Sequence, residues 1–276
     1  MSALSLWDEY GILFSTGITC ATAQCVLWIL FTYALGDGPW RREPGFTAHQ
    51  VVCFPLMIYL TYLGLTNFDF GGASAEFATP ASRVFEPHPV GTVMTKIVLG
   101  ELLLWDIPTG LLVKSLREPL MVAHHVGMAL TAALGLYPLF SYYALFFFGA
   151  IEISGVFLAL VDVFHPKHQA WCQYLERAPT LSSINDAARL AFVVLFFVMR
   201  VGCFPYVVTR HILPDTYAML QLPDAERLDV HPALICAIPF VAVIFSLLQC
   251  YWGTLLYTQV KKVLRGDGRK DQGKDA

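Results

Sequence analysis

Two adjacent histidines, His124 and His125, stand in an apolar stretch of a 276-residue chain. Imidazole has an unperturbed pKa of about 6.5, which suits it to moving protons near neutral pH, and a carboxylate beside it fixes its tautomer and raises its basicity. Asp106 and Glu152, in the apolar stretches before and after, are the carboxylates placed for that task. Together the four could take a proton from a substrate amine or hydroxyl. Arg189 could meet a phosphate or steady a developing oxyanion, and Asn185 and Asp162, near helix ends, are candidates for binding substrate. The competing reading is a histidine pair that merely bridges helices. A metal centre has less support, because the stretch holding the pair offers no HxxH or HxxxH face.

What must position these groups follows from composition. The chain is 56% hydrophobic and 14% charged, against about 45–50% and about 25% in soluble domains. That excess excludes a soluble enzyme and points to an all-α polytopic membrane protein. Seven stretches approach the roughly 20 apolar residues that a membrane crossing needs: 12–35, 50–66, 92–113, 120–137, 140–161, 184–209 and 233–258. The tight turn at Leu136-Tyr137-Pro138-Leu139 makes an antiparallel hairpin of the fourth and fifth. A charge inside the bilayer costs several kcal/mol, so ionisable residues there face the bundle interior and mark a site. Counted at 1.5 Å per residue, His125 and Arg189 lie about 8 Å deep, Asp106 about 10 Å and Glu152 about 15 Å. These four are expected to converge. Counted from the other side, Glu101 and Arg200 share a depth of roughly 13–14 Å, which predicts a buried structural ion pair.

Short loops rich in Lys and Arg stay cytosolic. Arg41, Arg42, Lys114, Arg117, Lys167, Arg177 and the tail cluster from Lys261 fall on one side if there are seven crossings. The amino terminus is then lumenal, the carboxyl terminus cytosolic, and the acidic loop with Asp224, Glu226 and Asp229 lumenal. The net charge of −3 leaves nothing to neutralise a phosphate backbone, so nucleic acid is not an expected partner. The seven cysteines form no CxxC pair; six read as small core residues and Cys172 alone sits in a polar loop, and Asp8 and Glu9 argue against a cleavable signal. Residues 1–44 would supply an extra helix and loop, 45–260 the main domain, and 261–276 a disordered tail.

Taken together, His124-His125, the run Glu152-Ile153-Ser154-Gly155-Val156-Phe157-Leu158, and Asn185 through Arg189 to Phe196–Arg200 resemble the TLC domain over about residues 45–260. That domain is shared by ceramide synthases, translocon-associated membrane proteins and TLC domain-containing proteins. The resemblance implies an endomembrane protein, usually of the endoplasmic reticulum, with a six-helix barrel around a lipid-accessible cavity. In ceramide synthases the histidine pair and an H-D-x-x-D motif serve transfer of an acyl chain from acyl-CoA to a sphingoid amine. Here Glu152 stands at the first Asp, Gly155 at the second, and Met128 replaces the usual Thr after the pair. The E-x-S form is nearer the TLC domain-containing branch, which influences membrane lipid composition.

Two functions follow as expectations. In the first, His125 is the general base, or a transient acyl acceptor, for acyl transfer from acyl-CoA as co-substrate to a lipid amine or hydroxyl. In the second, the cavity binds, senses or moves a lipid without chemistry. A seven-helix receptor lacks long ligand-binding loops here. No bound cofactor or metal is expected; the partners are membrane lipids, acyl-CoA if the site is catalytic, and a second copy of the chain if it dimerises.

Overall fold

Prolines open most of the long helices. Pro44, Pro89, Pro119, Pro179 and Pro232 each occupy a first helical position, where the missing N–H is one the helix cannot use and φ is already helical. Side chains just upstream finish three of these starts: His88 accepts from Gly91 N–H at 3.2 Å, Glu118 from Met121 N–H at 2.8 Å and His231 from Ala233 N–H at 3.2 Å. The computed structural model describes residues 3–70, 75–137, 139–223, 227 and 230–265. Among them there is no strand. Pro138, Asp224, Glu226, Asp229 and most of the expected disordered tail lie outside the described residues.

The long helices are α1 (spanning part Glu9–Ala34), α2 (Pro44–Asn67), α3 (89–112), α4 (Pro119–Gly135), α5 (Ser141–Val163), α6 (Pro179–Leu220) and α7 (Pro232–Leu264). Five of them, α1, α2, α5, α6 and α7, are long and apolar enough to cross a membrane, and α4 is a shorter apolar helix. α3 carries Lys96, Glu101 and Asp106 within its apolar sequence. Contacts between neighbours run α2–α3–α4–α7–α6–α5 and back to α2, with α1 packed against α2 and α3 and the first segment of α5 packed across against α3.

Four helices depart from regular winding: α1 ends in a π-helical turn at Leu30–Ala34, and in α3, α6 and α5 the departure has a visible cause. π-helical turns at Leu102–Asp106 and Phe196–Cys203 and at Val208–Ile212 stand just before Pro108, Pro205 and Pro214. A proline ring cannot donate to, and clashes with, the carbonyl four residues back, and a widened turn accommodates it. α5 breaks instead: its first segment ends at Phe147, and a 3-10 turn at Ala150–Glu152 precedes the segment Ile153–Val163. Gly149 sits at the break because α2 presses on it there. A Cβ on Gly64 would stand 2.6 Å from Gly149 Cα.

α6 runs well past the expected 184–209. Its 42 residues make about 63 Å at 1.5 Å per residue, roughly twice the hydrocarbon core. The polar residues that argued for an earlier end are accommodated because Asp215 is neutralised. Arg83, on the short helix Pro80–Phe85, grips it with two N–H groups at 2.7 and 2.8 Å, and Tyr143 O–H donates to it at 2.5 Å. That forked bond to Asp215 holds the Arg83 pKa above its ordinary value. The hydrophobic core fills this same end, with Met94, Leu145, Phe146, Ile151, Ile212 and Ile235 buried together. At the opposite end, which carries the basic loops, the bundle is hollow. The cysteine reading needs correction: only Cys20 is buried, while Cys25 and Cys236 lie on exposed faces.

Candidate functional site

The hollow is a cavity of about 490 Å³. Its wall carries His49 and Gln50 of α2, Glu101 and Asp106 of α3, His124 and His125 of α4, Glu152 and Asp162 of α5 and Arg200 of α6. It reaches Ser115, Glu118 and Lys167 in the loops at the basic end. At its other end a narrower space of about 60 Å³ continues from His124, Glu152 and Arg200 between Phe147, Phe204 and Ile238 toward Tyr143. The polar groups thus stand between a mouth at the loops and an apolar recess in the core.

At the centre is Asp106, only 6% exposed, at the end of the π-helical turn of α3. One oxygen meets His49 Nε2 at 2.8 Å, and the other pairs with His125 Nδ1. A carboxylate only accepts hydrogen bonds, so each imidazole must turn an N–H toward it. His125 then keeps Nε2 free as a base, and His49 keeps Nδ1. The His49 Nδ1 atom is buried without a hydrogen-bond partner among the described residues. The His49 ring stacks on Trp105, centroids 5.0 Å apart. Trp105 is held in turn by Gln24 of α1, whose Oε1 accepts from its indole N–H at 3.3 Å and whose Nε2 donates to the Gly45 carbonyl at 3.0 Å. The first helix is therefore a brace for the site.

Beside this set, Arg200 donates from Nη2 to Glu152 at 2.8 Å and from Nε to Ser154 Oγ at 2.7 Å. Adjacent helix residues point about 100° apart, and the two histidines of α4 divide accordingly. His125 turns to α3, and His124 packs edge-on against Phe245 and Trp252 of α7, at 5.1 and 5.2 Å. His124 Nδ1 is buried without a hydrogen-bond partner among the described residues. Glu101, 4% exposed, makes no hydrogen bond or ion pair with the described residues. Asp162, at the mouth, accepts from Gln50 Nε2 at 3.1 Å and pairs with Lys167 at 3.0 Å.

Three expectations are corrected here. Arg200 pairs with Glu152, not Glu101, because depth counting assumed regular helices, whereas α6 is π-wound at Arg200 and α5 is broken at Glu152. Arg189 does not converge with the others: its Nη2 donates to the Phe164 carbonyl at 3.1 Å, satisfying the frayed end of α5, and it lies outside the cavity wall. Asn185 is buried but also outside that wall. His124, His125, Asp106, Glu152 and Asp162 do line the cavity. His49, Glu101 and Arg200 join them without having been assigned to the site from the sequence. No cluster of three or more His, Cys, Asp or Glu able to hold a metal occurs among the described residues.

Residues 47–258 match the protein family described as TLC domain. No curated protein and no solved structure matches the chain significantly.

Proposed function

The chain belongs to the TLC-domain family, and from that premise and the geometry of the cavity we propose that it is an acyltransferase of lipid metabolism in the endoplasmic reticulum. In this reading its seven long helices all cross the bilayer, α2 to α7 form a six-helix barrel, and the basic end with its cavity mouth is cytosolic. The neighbour order of the helices and the one-sided distribution of Lys and Arg support that arrangement. Acyl-CoA is the donor and a lipid amine or hydroxyl the acceptor.

The observation that carries the proposal is the Asp106 carboxylate bridging two imidazoles in a cavity wall. With Nδ1–H of His125 tied to Asp106, Nε2 takes the proton from the acceptor as its nitrogen or oxygen attacks the thioester carbonyl. The new amide or ester bond forms as the C–S bond breaks, and the proton leaves with the thiolate. Asp106 stabilises the imidazolium formed in between, which is the way an oriented acid–base pair lowers such barriers. Arg200, rather than Arg189, is the guanidinium at the wall where oxyanion charge would develop. Glu101, without a hydrogen-bond or ion-pair partner among the described residues, is the carboxylate available to an acceptor's donor group, and the small apolar recess beyond His124 has room for a few methylenes of a chain.

The test is acyl transfer by the purified chain in lipid nanodiscs, with a panel of lipid amines and alcohols, for wild type, His125→Ala and Asp106→Asn. Loss of a general base typically costs about 10²–10⁴ in rate, so both variants are expected to fall by that order while still unfolding in one cooperative thermal transition. Turnover unchanged in His125→Ala rejects the assignment. Tight lipid binding with no turnover in any protein supports a lipid carrier or sensor instead.

A further inference from the structure

A second apolar space, of about 280 Å³, lies on the outside of the bundle between α2 and α5. Phe46, Val51 and Phe54 of α2 form one side and Leu160 and Val163 of α5 the other, with Trp171 at its end. Val51 is 46% exposed on a helix apolar enough to span the membrane, so this groove opens on acyl chains rather than water. Its polar members are Thr47 and Gln50. The Thr47 hydroxyl is taken up by the Glu43 carbonyl at 2.9 Å.

Gln50 and Ala159 line both the groove and the central cavity. The partition between bilayer and cavity is therefore a single layer of side chains, one of them no larger than a methyl group. A hydrogen bond closes it: Gln50 Nε2 donates across to Asp162, whose other oxygen holds Lys167. Farther along, α2 and α5 touch backbone to backbone at Gly64 and Gly149, a contact that fixes the two helices at one end while the latch ties them at the other.

We propose that this groove is a lateral portal, in which a membrane lipid lays its chain while its polar end passes between Gln50 and Ala159 into the cavity. The Gln50–Asp162 bond is the latch. Breaking it would leave an oxygen of the half-buried Asp162 carboxylate without its hydrogen bond, which costs free energy. A headgroup carrying N–H or O–H removes that cost by donating to Asp162 in Gln50's place. The latch thus admits lipids with a donor headgroup, the same chemistry that an acyl acceptor must have. The proposal rests on the cavity taking a lipid and not on whether the lipid is acylated there.

The experiment uses the full chain in phosphatidylcholine nanodiscs containing a long-chain primary amine, or in a parallel arm the corresponding alcohol, each with a diazirine in the chain. Brief irradiation followed by peptide mass spectrometry reads labelling of the groove (residues 46–54 and 160–163) and of the cavity (Met57, Val98 and Leu102). Wild type is expected to label both, with the groove well above the exposed face of α1 at Ile18 and Val26. Ala159→Phe should keep groove labelling and slow cavity labelling several-fold, and Gln50→Leu should speed it. Cavity labelling at the wild-type rate in a folded Ala159→Phe overturns the portal, as does a groove labelled no more than α1. A rate unaltered in Gln50→Leu overturns the latch, whatever the fate of the phenylalanine variant. A wild-type cavity that neither probe labels refutes the lipid-cavity reading itself.

Discussion

Arg200 and Glu152 show how a residue's meaning changes once its neighbours are known. Both are buried, and together with Ser154 they form a closed hydrogen-bonded set. Removing one member of such a pair strands the other's charge, typically at about 3–5 kcal/mol, whereas replacing both with apolar groups is often neutral. Arg200→Met is therefore expected to lower the melting temperature sharply, and adding Glu152→Leu to restore most of it. A double variant as unstable as the single one would mean that the pair is held by something other than mutual neutralisation. The sequence displayed these residues but not their pairing. His124, His125 and Asp106 were legible because ionisable groups in apolar runs are rare. His49 was not, because it falls one residue before the stretch 50–66, and a histidine at a span boundary looks like an interfacial residue until α2 is seen to begin at Pro44. Glu101 was legible as a buried carboxylate, yet equal depth assigned it the wrong partner.

Elements place these residues, and the irregular ones matter most. Proline positions were visible in the sequence as kinks, but the size of the register shift each imposes depends on how its helix packs. The same holds for the loop after α5. There His168 is buried against Phe46, ring centroids 3.7 Å apart, with Nδ1 at 2.5 Å from Glu43. That contact anchors the loop bearing Lys167 at the cavity mouth. Burial pushes the His168 pKa below its ordinary value, outweighing the opposing pull of Glu43. A histidine with a depressed folded-state pKa stabilises the fold above its unfolded value of about 6.5, and that contribution is lost as pH falls below it, because the unfolded chain then binds the proton more readily. Thermal stability in detergent should accordingly fall between about pH 7.5 and pH 5.5. His168→Gln, which can still donate to Glu43 but does not titrate, should flatten that profile. An equally steep fall in the variant would assign the effect to other groups.

At the scale of the whole molecule the chain is divided into a packed half and a hollow one. Composition alone announced an all-helical membrane protein, since no soluble core absorbs so many apolar residues. It did not announce the division, which depends on where large side chains meet. Phe, Tyr, Met and Ile fill the end sealed by Arg83, Asp215 and Tyr143, while His, Asp and Glu open the other. The division also makes the direction of the chain in the bilayer consequential, because only a cytosolic mouth can meet a cytosolic acyl donor. If all seven long helices cross, Asp37, whose side chain is 95% exposed in the loop after α1, shares a side with Lys262, and Glu86, exposed before α3, lies opposite. In a variant lacking the seven native cysteines, Asp37→Cys and Lys262→Cys should react with a membrane-impermeant maleimide only from the cytosolic face of sealed microsomes. Glu86→Cys should react only after the membrane is permeabilised. Asp37 and Lys262 on different sides would require an odd number of crossings between them, and therefore one long helix that does not cross. Both protected, with Glu86 accessible, would turn the mouth to the lumen and leave His125 without access to a cytosolic thioester.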